Sequence, residues 1–247
     1  METDKQKDGL AATPHRQATR IQTSLLNGVE RKALVWMSER MPRWVSSDML
    51  SGVGVLGAVI IATGYILSNV DIRYLWLSSF GFVVHWFGDS MDGSLARVRK
   101  TQRPIYGFYL DHTLDAVTEF IMFFGAGMSH LLRLDIAMMV FVAYLLMTLN
   151  VTINSHLKSE FRLTYAKLGP TEFRLLMIIL NTLLIYIAPL REFSTVITCA
   201  GRSLTLSGLD IVALCIFLIL MVIYTCTVIS DARGYAKADP LPKRPQS

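Results

Sequence analysis

Four aspartates carry the chemistry in this 247-residue chain. Asp89 and Asp92 are spaced i, i+3, and Asp111 and Asp115 are spaced i, i+4. On a helix, each spacing puts its pair on one face. Two such helices facing each other would bring four carboxylates to one point, where they repel. Divalent cations relieve that repulsion, and two of them would neutralise four carboxylates. All-oxygen ligands suit Mg²⁺ or Mn²⁺ rather than zinc. A two-metal site is a common way to steady the attacking and leaving oxygens of phosphoryl transfer. The neighbouring residues agree. Gly93 and Ala96 give the first helix a face with little side chain, where a flat nucleotide could approach. Arg97 supplies a fixed positive fork for phosphate, and Gly107 opens the second helix in the same way.

The elements that must hold these residues are membrane spans. Only 17% of the chain is charged, against roughly 25% in an ordinary soluble domain. The charges are also unevenly placed. Residues 49–70, 136–157 and 211–230 contain no Asp, Glu, Lys or Arg. About 20 apolar residues cross a bilayer core as a helix. Three such stretches exclude a soluble globular enzyme, a disordered protein and a disulfide-stapled secreted module. Cys199, Cys215 and Cys226 have no metal or redox spacing and read as apolar filler. Met1 to Gln22 is polar, with no apolar core of a secretory signal.

Spans are expected at about 47–70, 136–156, 175–190 and 209–230, the third of these able to start a turn earlier at Pro170-Thr171-Glu172. Two more are too short between charges: 74–88 and 120–132. Running the first through Asp92, and starting the second near Asp111, restores each to about 20 residues. The aspartates then sit on helix, at or just inside one membrane face. The expected fold is thus all-α, a polytopic membrane protein of six transmembrane helices. An amphipathic, basic stripe over 21–46 predicts an interfacial helix before the first span. The expected division is a disordered cytoplasmic tail (1–20), that juxtamembrane helix, a catalytic transmembrane domain (47–231) and a second cytoplasmic tail (232–247). With six spans, 20 of the 24 Lys and Arg residues fall on one side. The positive-inside rule makes that side cytoplasmic, with both termini and the aspartates. The net charge of +5 is therefore topological and calls for no nucleic-acid partner.

The run Asp89-x2-Asp92-Gly93-x2-Ala96-Arg97-x9-Gly107-x3-Asp111-x3-Asp115 resembles the signature of the CDP-alcohol phosphotransferases, matching every fixed position. The resemblance covers roughly residues 45–230 and implies six membrane helices behind a juxtamembrane helix. It further implies transfer of a substituted phosphate from a CDP-linked donor to an alcohol, with release of CMP, in phospholipid synthesis. On that resemblance Asp89, Asp92 and Asp111 ligate Mg²⁺ or Mn²⁺, and Asp115 is the general base or shares a second ion. Gly93, Ala96, Arg97 and Gly107 contact CDP, and the protein is a homodimer. Relatives often carry Pro-Asn before the first span; here Ser47-Asp48-Met49-Leu50-Ser51 stands there, followed by Gly54. Asp111-His112-x2-Asp115 is similar to the choline and ethanolamine phosphotransferases, where the histidine is assigned as the base, so His112 is a second candidate. Leu114 stands where that branch usually has cysteine. The larger bacterial group instead joins CDP-diacylglycerol to a small polar alcohol. Lys158, Arg162, Lys167 and Arg174 either bind such an anionic acceptor or are ordinary positive-inside loop charge.

Other signals weigh less. Gly52-x-Gly54-x2-Gly57 spells a dinucleotide motif but lacks the strand that motif needs; close helix packing explains it better. Asn150-Val151-Thr152 is a glycosylation sequon inside a span. His85 precedes Asp89 by one turn and reads as a bundle-interior histidine or a neighbour of the site. Glu119 continues the Asp111–Asp115 stripe one turn deeper and should find a polar contact. His130 is expected near the outer end of its span. The rival function is a cation or proton transporter using the intramembrane carboxylates, but transport sites usually lie near the midplane, on interrupted helices.

Overall fold

A computed structural model describes residues 19–21, 27–158, 160–162, 170–199 and 202–241. The architecture is mostly helical. A short helix α1 (Asn27–Arg40) precedes α2 (Ser47–Leu67), α3 (Leu75–Val98), α4 (Pro104–Gly127), α5 (Leu134–Lys158), α6 (Pro170–Tyr186), a single-turn α7 (Ala188–Glu192) and α8 (Gly208–Ala238). Two small strand pairs depart from the all-α expectation. β1 (Thr19–Ile21) pairs in parallel with β2 (Glu160–Arg162), and β3 (Ser194–Cys199) forms a hairpin with β4 (Arg202–Ser207). Three helices, α2, α5 and α8, are long and apolar enough to cross a membrane, which marks the chain as a membrane protein.

Several boundaries differ from those expected, each for a local reason. α1 ends at Arg40 rather than near 46, because Pro42 disfavours helix at the residue before it; Ile21 belongs to β1, and residues 22–26 lie outside the described part. Residues 1–18 of the proposed N-terminal tail also lie outside it, and residues 19 and 20 form part of β1. α4 starts at Pro104, a residue suited to the first turn of a helix, one to two turns ahead of Asp111. α6 likewise takes the earlier start at Pro170 and stops at Tyr186. α8 continues to Ala238, beyond the expected end near 231. Two contacts with α5 hold that extension: the Asn154 amide donates to Asp231 (2.8 Å) and the Tyr235 hydroxyl donates to Asn154 Oδ1.

The hairpin of α2 and α3 is the centre of the fold, and small residues build it. A Cβ on Gly88 would overlap the backbone of Gly54 and the Leu50 carbonyl. One on Gly57 would strike His85, and one on Gly64 would strike Ser78. Lacking side chains there, the two backbones approach closely, as membrane helices do through small residues. Of the Gly52-x-Gly54-x2-Gly57 run, Gly54 and Gly57 make this seam, whereas Gly52 faces open space. Gly125 brings α4 against Ala62 of α2 in the same manner.

Several polar groups inside the bundle are paired. The Tyr65 hydroxyl donates to Asn181 Oδ1 (3.0 Å), and the Asn181 amide donates to Ser79 (3.2 Å), joining α2, α6 and α3. Around them Ile61, Leu75, Phe82, Leu131 and Leu184 form the main apolar cluster. One end of the bundle is tied by loop contacts: Asn69 donates to the Met128 carbonyl and accepts from the His130 amide, while Asp210 accepts from the Arg133 amide. At the opposite end Arg99 clamps the α1–α2 turn, donating to the carbonyls of Val45, Met41 (3.0 Å) and Pro42 (2.8 Å). Lys100 adopts a left-handed conformation (φ 57°) that ends α3 and turns the chain toward α4.

Candidate active site

At that clamped end α3 finishes and α4 starts, and both helices pack against α2. Asp89, Asp111 and Asp115 converge there, each offering a carboxylate oxygen within 4.8 Å of the others. Oxygens bound to one Mg²⁺ at about 2.1 Å can lie at most about 4.2 Å apart. The 4.8 Å that bounds the cluster is close to that limit, and three carboxylates suit a hard divalent cation. The residues present fit the metal that the sequence predicts.

The cavity over the cluster is lined by three helices. α2 contributes Ser51, Gly54 and Val55, and α3 contributes His85, Asp89 and Asp92. α4 contributes Asp111, Leu114, Asp115 and Thr118. The glycine seam explains why α2 reaches the aspartates: the close approach at Gly54 and Gly88 places Gly54 against Asp89 itself.

Asp92 lines the cavity but stands apart from the three-carboxylate group. Its oxygens accept from the Ser51 hydroxyl (2.6 Å) and from the Gly93 amide. Asp89 has a partner that the sequence reading assigned to loop charge or acceptor binding. Arg174, one turn into α6, donates to Asp89 Oδ2 at 2.5 Å. Its side chain is only 13% exposed, so it is a bundle residue rather than loop charge. The side chains of Lys158, Arg162 and Lys167 lie outside the described residues.

The candidate nucleotide residues occupy the end of α3 and the start of α4. Gly93 has Arg97 Nη1 near the place a Cβ would take, and Gly107 faces open space. Ala96 is half-buried and Arg97 exposed, its guanidinium donating to Ser94 Oγ at 2.9 Å. Asp48 does not cap α2. Ser46 does so, accepting from the Met49 amide, and Asp48 accepts from the Tyr106 hydroxyl (3.3 Å).

The two candidate bases are placed differently. Asp115 lines the cavity. His112 sits on the flank of α4, with Nδ1 at 3.0 Å from the Phe108 carbonyl and its ring tilted against that of Phe108, centroids 4.1 Å apart. Its Nδ1 is 3.8 Å from Asp111. Glu119 lies beside Tyr144 of α5 rather than in the cavity lining where a polar contact was expected, and its Oε2 has no hydrogen-bond partner among the described residues. His85 is buried beside the cavity, and its Nδ1 has no hydrogen-bond partner among the described residues.

Sequence reasoning did not find Ser51 or the Arg174–Asp89 pair. Arg174 did leave a trace, as a cation one turn inside a helix that otherwise reads as a span. Ser51 had none.

With this geometry in place, comparison with known proteins gives the class. Residues 44–232 match the CDP-alcohol phosphatidyltransferase family, and the chain belongs to it. Comparison with curated proteins gives no match. Membership makes the chain a transferase acting on CDP-alcohols in phospholipid synthesis at a membrane, and it decides against the transporter reading. The family is generally dependent on a divalent metal, in keeping with the aspartate cluster.

Proposed function

We propose that the protein transfers a substituted phosphate from a CDP-linked donor to an alcohol, one of the two carrying the lipid, and releases CMP. The observation that carries this is the convergence of Asp89, Asp111 and Asp115 beside the Gly93–Ala96–Arg97 face. Asp89, Asp111 and Asp92 would hold Mg²⁺ or Mn²⁺, with an oxygen of Asp115 kept free for the acceptor. When bound, the cations supply positive charge to the donor's diphosphate oxygens and to the departing CMP.

The chain's own residues do the rest. Gly93, Ala96 and Gly107 leave room for the nucleotide, and Arg97 offers its fork to phosphate. The acceptor hydroxyl attacks the donor's β-phosphorus in line. The new O–P bond forms as the P–O bond to CMP breaks, and the hydroxyl proton passes to Asp115 Oδ. The carboxylate of Asp115 lines the cavity and His112 does not, which supports Asp115 as the base.

The proposal includes six crossings by α2, α3, α4, α5, α6 and α8, with α1 on the interface and both termini cytoplasmic. The 20-to-4 division of basic residues supports that orientation. Asp92 and Asp89 then lie roughly 9–14 Å inside the cytoplasmic end of α3, shallow enough for a water-soluble nucleotide. The unit is taken as a homodimer on the family resemblance.

The deciding experiment incubates purified protein with labelled CDP-diacylglycerol, CDP-choline or CDP-ethanolamine, each with candidate acceptors, and follows CMP. One donor class should yield CMP in a metal-dependent way. Asp92→Asn and Asp115→Asn should each abolish release while the protein stays folded, and full activity in either would sink the assignment.

A further inference from the structure

We infer that Glu30 of α1 is a positioning residue that locks the Asp89 turn of α3 to the first turn of α6. One oxygen of its carboxylate, Oε1, accepts three hydrogen bonds. The donors are Trp86 Nε1 (2.8 Å), Thr171 Oγ1 (2.8 Å) and Ser90 Oγ (3.4 Å). Trp86 and Ser90 flank Asp89 on α3, and Thr171 lies one turn before Arg174 on α6. Arg174 in turn donates to Asp89. The contacts close a ring across three helices: Glu30 to Trp86 and Ser90, along α3 to Asp89, across to Arg174, and back through Thr171. A charged acceptor makes these bonds stronger than neutral ones.

Glu30 is not what docks α1. Further along, Leu34 packs in an apolar cluster with Val45, Leu50, Met91 and Leu95, backed by Met37 and Met41. The Ser38 hydroxyl meets the Met91 sulfur, and Arg99 clamps the following turn. Removing the Glu30 carboxylate leaves that attachment in place but frees the first turn of α6 from the Trp86–Ser90 turn of α3, while Asn181 and Ser79 still join the two helices further along. Asp89 then loses its fixed relation to Asp111 and Asp115, and the cation site loosens. The inference rests on the functional reading above in taking Asp89 as a cation ligand.

The test uses the full chain in lipid nanodiscs. Mn²⁺ binding is titrated by electron paramagnetic resonance, with CMP release and thermal midpoint measured alongside. Glu30→Ala should weaken Mn²⁺ binding about tenfold and lower kcat, with KM for the donor within about twofold. Glu30→Gln should restore most of the loss, because its amide oxygen accepts from the same donors. Thr171→Ala should weaken binding about threefold, and adding it to Glu30→Ala should cost little more. Unchanged Mn²⁺ binding in Glu30→Ala overturns the inference, as does a Glu30→Gln as impaired as the alanine variant. If Glu30→Ala does not fold, wild-type Mn²⁺ binding in Thr171→Ala overturns it. Asp89→Asn separates the two readings. If it loses Mn²⁺ while Glu30→Ala does not, only the positioning role fails; if it binds and turns over normally, the functional reading fails.

Discussion

Asp89 stands between two cations, the arginine it has and the metal it is proposed to bind. Arg174 pairs with it at 2.5 Å, with side-chain exposures of 13% for Arg174 and 27% for Asp89. Arg174→Ala leaves a half-buried carboxylate beside two others. Breaking a fully buried pair costs about 3–5 kcal/mol; with this exposure we expect about 1–2 kcal/mol, seen as a lower thermal midpoint in metal-free protein. Added Mn²⁺ should narrow the gap from wild type, because the cation supplies the charge that Arg174 removed. A gap that stays constant across a Mn²⁺ titration would contradict this. The aspartates were legible because both their type and their spacing carry meaning within a single helix. Arg174, Ser51 and Glu30 were not, because their partners lie 85, 41 and 56 residues away in sequence. A positively charged residue near a membrane face also has an ordinary topological explanation, which hid Arg174.

At the level of helices, the α2–α3 seam makes a sharp contrast between two glycines. Alanine is about 1 kcal/mol better than glycine in a helix interior. Gly52 faces open space, so Gly52→Ala should leave stability and turnover unchanged or slightly improved. A Cβ at position 88 would overlap the backbone of Gly54, which cannot yield as a side-chain tip can. Overpacking costs about 1–3 kcal/mol or more, so Gly88→Ala should lower the thermal midpoint and, one residue from Asp89, reduce CMP release. Equal behaviour of the two variants would argue against the seam. Helix existence was readable from apolar runs, and α3 and α4 from shorter runs extended through the charges at their ends. Helix ends were less so. Pro104 and Pro170 set two starts, while the length of α8 depends on Asn154 meeting Asp231 and Tyr235, contacts between segments far apart in the chain.

Across the whole molecule, the proposed orientation can be read out by cysteine labelling. In a variant lacking the native cysteines, Thr101→Cys lies between α3 and α4 and Ser203→Cys in the β3–β4 hairpin, both exposed positions. A membrane-impermeant maleimide should label position 203 in intact cells and position 101 only after the inner face is opened. The reverse pattern would invert the topology and place the aspartates outside. The proposed topology rests on the charge arithmetic, whereas the hairpin was not foreseen: Ser203-Leu204-Thr205-Leu206-Ser207 alternates as a strand does, but it is a five-residue signal between two long apolar helices. The glycine seam also bears on how the protein meets bilayers of different thickness. With backbone against backbone, α2 and α3 tilt as one stiff body, whereas just 6% of α8's apolar stretch is covered by the rest of the chain. In a thinner membrane α8 can lean together with α5, to which it is tied, while the α2–α3 hairpin keeps its shape: the compliance of the molecule falls on helices that do not line the cavity.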